Sequence, residues 1–432
     1  MNVYIKPATN HWENILKRPA LDVSRLRETV NDILDQIRKN GDQAVQHYSE
    51  QFDQVRFEHA QLSEEEMQEA DKAVSEELKQ AIQIARENIQ RFHAQQQLST
   101  EMIETMPGVK CWRQSRPIEK VGLYIPGGTA PLFSTVLMLG IPAKLAGCKE
   151  IVLCSPPDKS GRLHPAIIYT AKAVGINKIF KIGGVQAIGA MAYGTESVPQ
   201  VYKIFGPGNQ YVTAAKQLVS QQGTAIDMPA GPSEVLVCAD HTANPAFVAA
   251  DLLSQAEHGI DSQVVLVAFE EAFVQSVQQA IEEQLKELPR ADIARQALKN
   301  SSAIVVEDRA IAIELINAYA PEHLILSLEK VDSFSDQIVN AGSVFIGNFT
   351  PESVGDYASG TNHTLPTNGF AKVYSGVSLD SFVKKITFQH LSKEGLKNLG
   401  PAVEAMASAE QLMAHKNAVS IRLASIYSEE KK

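Results

Sequence analysis

Cysteine is nearly absent from the 432 residues, which hold only Cys111, Cys148, Cys154 and Cys238. Four cannot build a disulfide framework in so long a chain, and none has the C-x-x-C spacing of a zinc knuckle, so small buried hydrophobes are expected. Unbroken apolar runs are missing as well. Even Val136 to Leu145 is interrupted by Gly140, Pro142 and Lys144, short of the roughly 18 to 20 apolar residues that cross a bilayer. The opening MNVYIKPATNHWENILKR has no apolar core of signal-peptide type, so a cytoplasmic protein without membrane contact is expected. Positive charge is in deficit: 40 Lys and Arg against 50 Asp and Glu leave a net −10 with no basic block, which argues against a nucleic-acid partner. There is no repeat of fixed period and no low-complexity segment. The hydrophobic content of 44% is enough for real cores and roughly two to four domains.

From residue 24 to about 97 the sequence is polar and helical in period, and Ser63-Glu64-Glu65-Glu66 reads as a capping box opening one long helix to Arg91. The texture then changes. Short β-branched runs at 121–125, 151–154, 178–182 and 201–205 alternate with helical windows such as 136–146 and 165–174, the pattern of βαβ units in a mostly parallel sheet. A second series at 235–238, 263–268, 303–306, 324–326 and 343–346 predicts a second sheet. Beyond about Ser381 helix is predicted again. The last helix would open at Ser408-x-x-Gln411 and carry an apolar stripe of Leu412, Val419, Leu423 and Ile426. Such a stripe needs a surface to pack on.

Two strand-to-helix turns are rich in glycine, Pro126-Gly127-Gly128-Thr129 and Gly206-Pro207-Gly208-Asn209. Glycine lets backbone N–H groups approach a phosphate, and a helix N-terminus favours the anion. The second turn reads G-x-G-x-x-Y and lacks the third glycine of the dinucleotide fingerprint, so nucleotide binding and ordinary turn chemistry both stay open. Among the eleven histidines, His11, His47, His59 and His93 lie in the polar first quarter and are expected at the surface. His258, His323, His363 and His415 each lie close to a carboxylate or amide, as metal ligands and general bases do. A helix begun by Asn244-Pro245 and ended at Gly259 would set Gln255 and His258 one above the other on its last turn. Pro321-Glu322-His323 stands at a loop-to-strand edge, where the two side chains could serve different proton transfers only if the chain bends. Asp356 and His363 sit in a long Gly- and Pro-rich segment and suit zinc or manganese. His415 falls on the apolar face of the last helix, where a packed core histidine is the plain alternative.

Longer stretches carry more: VGLYIPGGTAPLFSTVLM (121–138), IGGVQAIGAMAYGT (182–195), GPGNQYVTAAK (206–216), DMPAGPSE (227–234), DLLSQAEHG (251–259), APEHL (320–324), ESVGDYASGTNHTLPT (352–367) and AEQLMAHKNAV (409–419). In this order and over nearly the whole chain they resemble the histidinol dehydrogenase family, with departures at Thr361 and Thr364. The resemblance implies two NAD-dependent oxidations of L-histidinol to L-histidine through L-histidinaldehyde, the last steps of histidine biosynthesis. It implies an α/β fold of two Rossmann-like αβα domains, incomplete as dinucleotide folds and aldehyde-dehydrogenase-like, with helical N- and C-terminal extensions. One zinc per subunit would be held by Gln255, His258, Asp356 and His415, with the imidazole and amine of histidinol completing its sphere. Glu322 and His323 match the acid–base pair, with Ser233, His363 and Glu410 as further substrate contacts and Tyr124, Gln186 and Asn209 as NAD contacts.

Family members are homodimers with intertwined tails, which would bring Glu410 and His415 from the partner. The division expected is an arm at 1–20, a first αβ domain of 21–115 with 234–380 carrying most metal and catalytic residues, a second NAD-binding αβ domain at 116–233, and an exchanged helical tail at 381–432. Within that frame His323 is the base for the alcohol and Glu322 activates the water that hydrates the aldehyde, leaving zinc to orient the substrate. Three other readings compete: an aldehyde-dehydrogenase-like enzyme using Cys148 or Cys154, a metal-dependent amidohydrolase, and a non-catalytic small-molecule binder.

Overall fold

The strands at 121–125, 151–154, 178–182 and 201–205 form as expected, joined by a short fifth, in a parallel sheet of order Lys178–Phe180, Glu150–Cys154, Lys120–Tyr124, Lys203–Phe205, Ala225–Ile226. They read as unbroken apolar runs because both faces are covered. Val121, Leu123, Ile151, Leu153 and Phe205 pack under helices Phe133–Ala146 and Pro165–Val174. On the other face, Val152, Cys154, Phe180 and Ile204 meet Gly184–Tyr193 and Gln210–Gln221. The chain starts at the central strand, winds outward to one edge and returns to the other side. The strand order therefore reverses between Lys120–Tyr124 and Lys203–Phe205, and a ligand crevice belongs beyond their carboxyl ends. The computed structural model describes residues 1–19, 23–127, 130–229 and 231–430, with the backbone alone for 23–25. Gly128 and Thr129 of the first glycine turn, Ala230 of the 227–234 stretch and the expected boundary at 20/21 lie outside the described residues.

The second series forms a six-stranded parallel sheet: Asn2–Ile5, Ser302–Val305, Gln263–Ala268, Glu234–Ala239, His323–Ser327, Ser343–Ile346. Its edge strand Asn2–Ile5 was expected to be part of an arm. Instead it docks on Ser302–Val305, and Trp12, Ile15 and Leu16 sink into the core beneath the same sheet.

Two expectations for the first quarter change. The capping box forms, with Glu66 N–H donating to Ser63 Oγ at 3.2 Å and Ser63 N–H to Glu66 Oε2 at 2.9 Å. The helix it opens, however, stops at Ala73, and Ser75 caps a second one, Glu76–Ala94. Residues 21–115 were grouped with 234–380, yet Val30, Ile33, Leu34 and Ile37 of helix Val23–Tyr48 join the core of the five-stranded sheet. The contact depends on Gly189, where a Cβ would stand 2.8 Å from Ile37 Cδ1. His93, expected at the surface, is fully buried, its Nδ1 on the Ile89 carbonyl at 2.9 Å.

By its contacts the chain divides into two units, Met1–Gln96 with Ile118–Phe382, and Gln97–Pro117 with Val383–Lys432. The first holds both parallel sheets. The second is an antiparallel sheet, Val383–Leu391, Val109–Pro117, Met102–Met106, with helices Lys393–Ala409 and Met413–Glu429. Helix had been predicted throughout this tail. Residues 383–391 are a strand because they pair along their whole length with 109–117, and Trp112 stacks on Phe388 at 5.5 Å. Ser408 does not open the final helix. It lies inside Lys393–Ala409, and the chain turns at Gln411, whose φ is +60°. No helix among the described residues is long and apolar enough to cross a membrane.

Candidate active site

A cavity of about 850 Å³ in the first unit joins the two sheets. One wall is the turn Gly206-Pro207-Gly208-Asn209, at the carboxyl end of Lys203–Phe205; the other carries Ser233, His258, Glu322 and His363. Two different sheet ends face each other here. The first is the switch-point end of the five-stranded sheet, the second the amino end of the six-stranded one.

On the first wall Gly206 has φ +128°, and a Cβ there would stand 2.0 Å from the Tyr124 carbonyl oxygen, so no side chain fits. Its N–H donates to Asp227 Oδ2 at 2.8 Å, and its carbonyl accepts from Lys216 Nζ at 2.7 Å. Lys216 and Asp227 form a buried ion pair at 2.5 Å. Asn209 caps Gln210–Gln221, its Oδ1 accepting from Tyr211 and Val212 N–H at 3.0 and 3.1 Å. Of the three expected NAD contacts, only Asn209 lines the cavity. Tyr124 and Gln186 are buried nearby: the Tyr124 hydroxyl accepts from Gly184 N–H at 3.2 Å, and Gln186 Nε2 donates to Asp53 Oδ2 at 3.0 Å. Gln186 Oε1 is left without a partner.

On the second wall the chain does bend. Ala320 is left-handed, with φ +54°, the backbone turns at Glu322, and strand begins at His323. Both side chains therefore reach the same side, with Glu322 Oε2 3.7 Å from His323 Nδ1. His323 Nδ1–H donates to the Glu234 carbonyl at 3.1 Å, and Nε2 lies 3.2 Å from Asp356 Oδ1. Burial works against a charge on this imidazole, but the Glu322 and Asp356 carboxylates outweigh it and raise its proton affinity. Burial also pushes Glu322 well above the usual carboxylate range. Asp356 goes the other way: burial opposes its ionisation, and the hydrogen bond from His323 overcomes that.

The remaining expected residues gather around this pair. Helix Pro245–Ala256 starts at the Asn244 cap as expected and ends three residues before Gly259, but His258 N–H still bonds the Gln255 carbonyl at 3.2 Å. His258 Nδ1 faces Ser233 Oγ at 3.3 Å. His363 is fixed at both nitrogens, by the Asp356 carbonyl at 2.8 Å and Thr135 Oγ1 at 3.0 Å. Glu410 and His415 belong to the second unit, and both are exposed, so His415 is not a packed core residue.

Several neighbours were not singled out from sequence. Glu352 is buried beneath Asp356; the Ser254 hydroxyl donates to its Oε1, Oε2 has no partner, and burial raises its carboxyl to about 8. Glu234 and Arg18 pair across the chain at 2.6 Å. Nothing local marks either of them.

Among the described residues no group of three or more His, Cys, Asp or Glu is arranged to hold a metal. The first unit instead offers one imidazole, His258, one carboxylate, Asp356, and the amide oxygen of Gln255, which is buried and has no hydrogen-bond partner. An orphaned acceptor beside borderline and hard donors fits zinc, provided that further ligands arrive from elsewhere.

The cysteine alternative loses its chemistry here. Cys148 and Cys154 are buried, and burial pushes the Cys148 thiol up to about 12 and Cys154 up as well. A thiol held protonated is a poor nucleophile. Replacing both by alanine is expected to change turnover by less than about tenfold, or ~1.4 kcal/mol of barrier. A covalent substrate adduct trapped on either sulfur would contradict this.

A doubly wound sheet whose switch point opens onto a cavity, with Glu322 of a buried Glu–His pair on the facing wall, suits a dehydrogenase. The family model for histidinol dehydrogenase matches residues 16–423, and the chain belongs to that family. It is 60% identical over 417 residues to the histidinol dehydrogenase of Bacteroides thetaiotaomicron, covering 96% of this chain and 97% of the relative. To that of Escherichia coli K12 it is 53% identical over 412 residues, with 95% and 94% covered. A crystal structure of histidinol dehydrogenase from Elizabethkingia anophelis matches with a TM-score of 0.97 and 57% identity over 99% of each chain.

Proposed function

We propose that this cavity oxidises L-histidinol to L-histidine with two NAD, by way of L-histidinaldehyde, as the last reactions of histidine biosynthesis in the cytoplasm. The observation that supports this most is the Glu322–His323 pair, brought to one side of a bent chain, with Glu322 on the cavity wall opposite the glycine turn. In the first step His323 takes the hydroxyl proton of the alcohol as a hydride leaves the same carbon for NAD. Glu322, made more basic by burial, then takes a proton from the water that adds to the aldehyde carbon while His323 returns its proton to the aldehyde oxygen, which gives the hydrate and frees His323. His323 serves again, accepting a hydroxyl proton of the hydrate as the second hydride departs. Each step thus releases one hydride and one proton, and no thioester is needed.

Gln255, His258 and Asp356 are the residues that would hold zinc, joined by His415 of the partner subunit in a homodimer, one metal to each site. When bound, zinc would fix the imidazole and amine of the substrate and, by neutralising Asp356, lessen the charge that raises His323. Ser233 and His363, with Glu410 of the partner subunit, would contact the substrate. Asn209 on the opposite wall, with Tyr124 and Gln186 buried around the same five-stranded sheet, would take NAD, the helix N-terminus behind Asn209 favouring its pyrophosphate.

Chelation is expected to abolish NADH formation from L-histidinol while circular dichroism shows the fold retained, and added zinc should restore it. Full activity in protein shown by elemental analysis to be metal-free would overturn the metal assignment.

A further inference from the structure

Glu322 and His323 share a support that neither the chemistry nor the metal explains. Both hang from the backbone of one residue, Glu234. Its N–H donates to Glu322 Oε2 at 2.9 Å, and its carbonyl accepts from His323 Nδ1 at 3.1 Å. The preceding carbonyl, that of Ser233, accepts from Gln263 N–H at 3.2 Å, so the same residue also sets where the Ser233 hydroxyl meets His258.

The Glu234 side chain is almost wholly buried, 2% exposed, and is held in a fork. Arg18 Nε reaches its Oε1 at 2.6 Å and Nη2 its Oε2 at 2.8 Å, while Asn368 N–H donates to Oε1 at 2.6 Å. Arg18 is itself fixed: Nη2 also donates to the Tyr319 carbonyl at 2.8 Å, and the guanidinium lies 4.0 Å over the Tyr319 ring. Tyr319 in turn donates to Gln263 Oε1 at 2.9 Å, and Gln263 Nε2 donates to the Lys17 carbonyl at 3.0 Å. The network closes on itself around the Glu234 backbone from which Glu322 and His323 hang. A buried ion pair gives little net stability over an apolar pair of the same size, so stability alone does not account for it.

We propose that Arg18 and Glu234 are positioning residues, a planar clamp that holds the Glu234 backbone in register so that Glu322 and His323 keep their proton-transfer geometry. The proposal rests on the acid–base assignment above. A clamp shared by both groups makes a specific demand: loosening it slows both oxidations, the first through His323 and the second through His323 and Glu322 together, whereas a change at Glu322 alone spares the first.

The test uses the full-length holoenzyme with Arg18→Met/Glu234→Met, which removes both charges and leaves neither buried alone, and with Arg18→Lys, which keeps the charge and loses the fork. Expected for each are a melting temperature near wild type, a KM for L-histidinol within about threefold, and single-turnover rates of both steps lower by about 10- to 100-fold, the second by at least as much as the first. Wild-type rates in either folded variant would overturn the proposal, as would a loss confined to KM. Should the double variant fail to fold, Arg18→Lys decides by the same measurements. Glu322→Gln, run alongside, reports on the acid–base assignment separately: a loss there with full rates in the clamp variants overturns the clamp alone.

Discussion

In single turnover Glu322→Gln is expected to lose about 10²- to 10⁴-fold in the oxidation of L-histidinaldehyde, and much less in that of L-histidinol. The amide keeps the size of the side chain and can still accept the Glu234 N–H that holds Oε2 at 2.9 Å, so the backbone around His323 stays in place. On the proposed roles, what disappears is the base for water, and only the second oxidation consumes water. His323→Gln, by contrast, removes the proton acceptor of both steps and should depress both. Rapid mixing with NADH absorbance separates the two substrates. Equal losses in Glu322→Gln would mean that the carboxylate serves both transfers or only orients His323.

The second large effect is a return of activity from two dead proteins. Glu322→Gln has a damaged core and an intact tail; His415→Ala has the reverse. If each site takes its core from one chain and His415 from the other, a mixed dimer has one site with both lesions and one with neither. Random exchange at equal concentrations makes half the dimers mixed, so about a quarter of the wild-type activity should reappear. A tail that served its own core would leave a lesion in every site. Mass spectrometry of tagged chains verifies the exchange, and confirmed mixed dimers that stay inactive would remove Glu410 and His415 from a composite site.

The strands of both parallel sheets were readable within a few residues, because a strand covered on both faces must be apolar throughout and its βα turns need glycine and proline. Asn2–Ile5 and Val383–Leu391 were not. Each is half exposed and takes its identity from a partner far along the chain, Ser302–Val305 in one case and Val109–Pro117 in the other. The packing of Val23–Tyr48 was hidden for a similar reason, since its amphipathic stripe fits any apolar surface and only the close approach at Gly189 selects one. At the site, Gln255, His258, Asp356 and His363 were each weak signals that gained weight as a set through the family resemblance. The bend at Glu322 was named as a condition, and a left-handed Ala320 meets it. Arg18 and Glu234 left no trace in the sequence, for their pairing spans 216 positions and uses residue types common on any surface.

The most direct test of the four-electron oxidation is a count of products: NADH formed per L-histidine released, measured with zinc-loaded protein and limiting L-histidinol. The account predicts two NADH for every histidine, with no free aldehyde accumulating. One NADH with aldehyde released to solution, or histidinol consumed with no NADH at all, would contradict it.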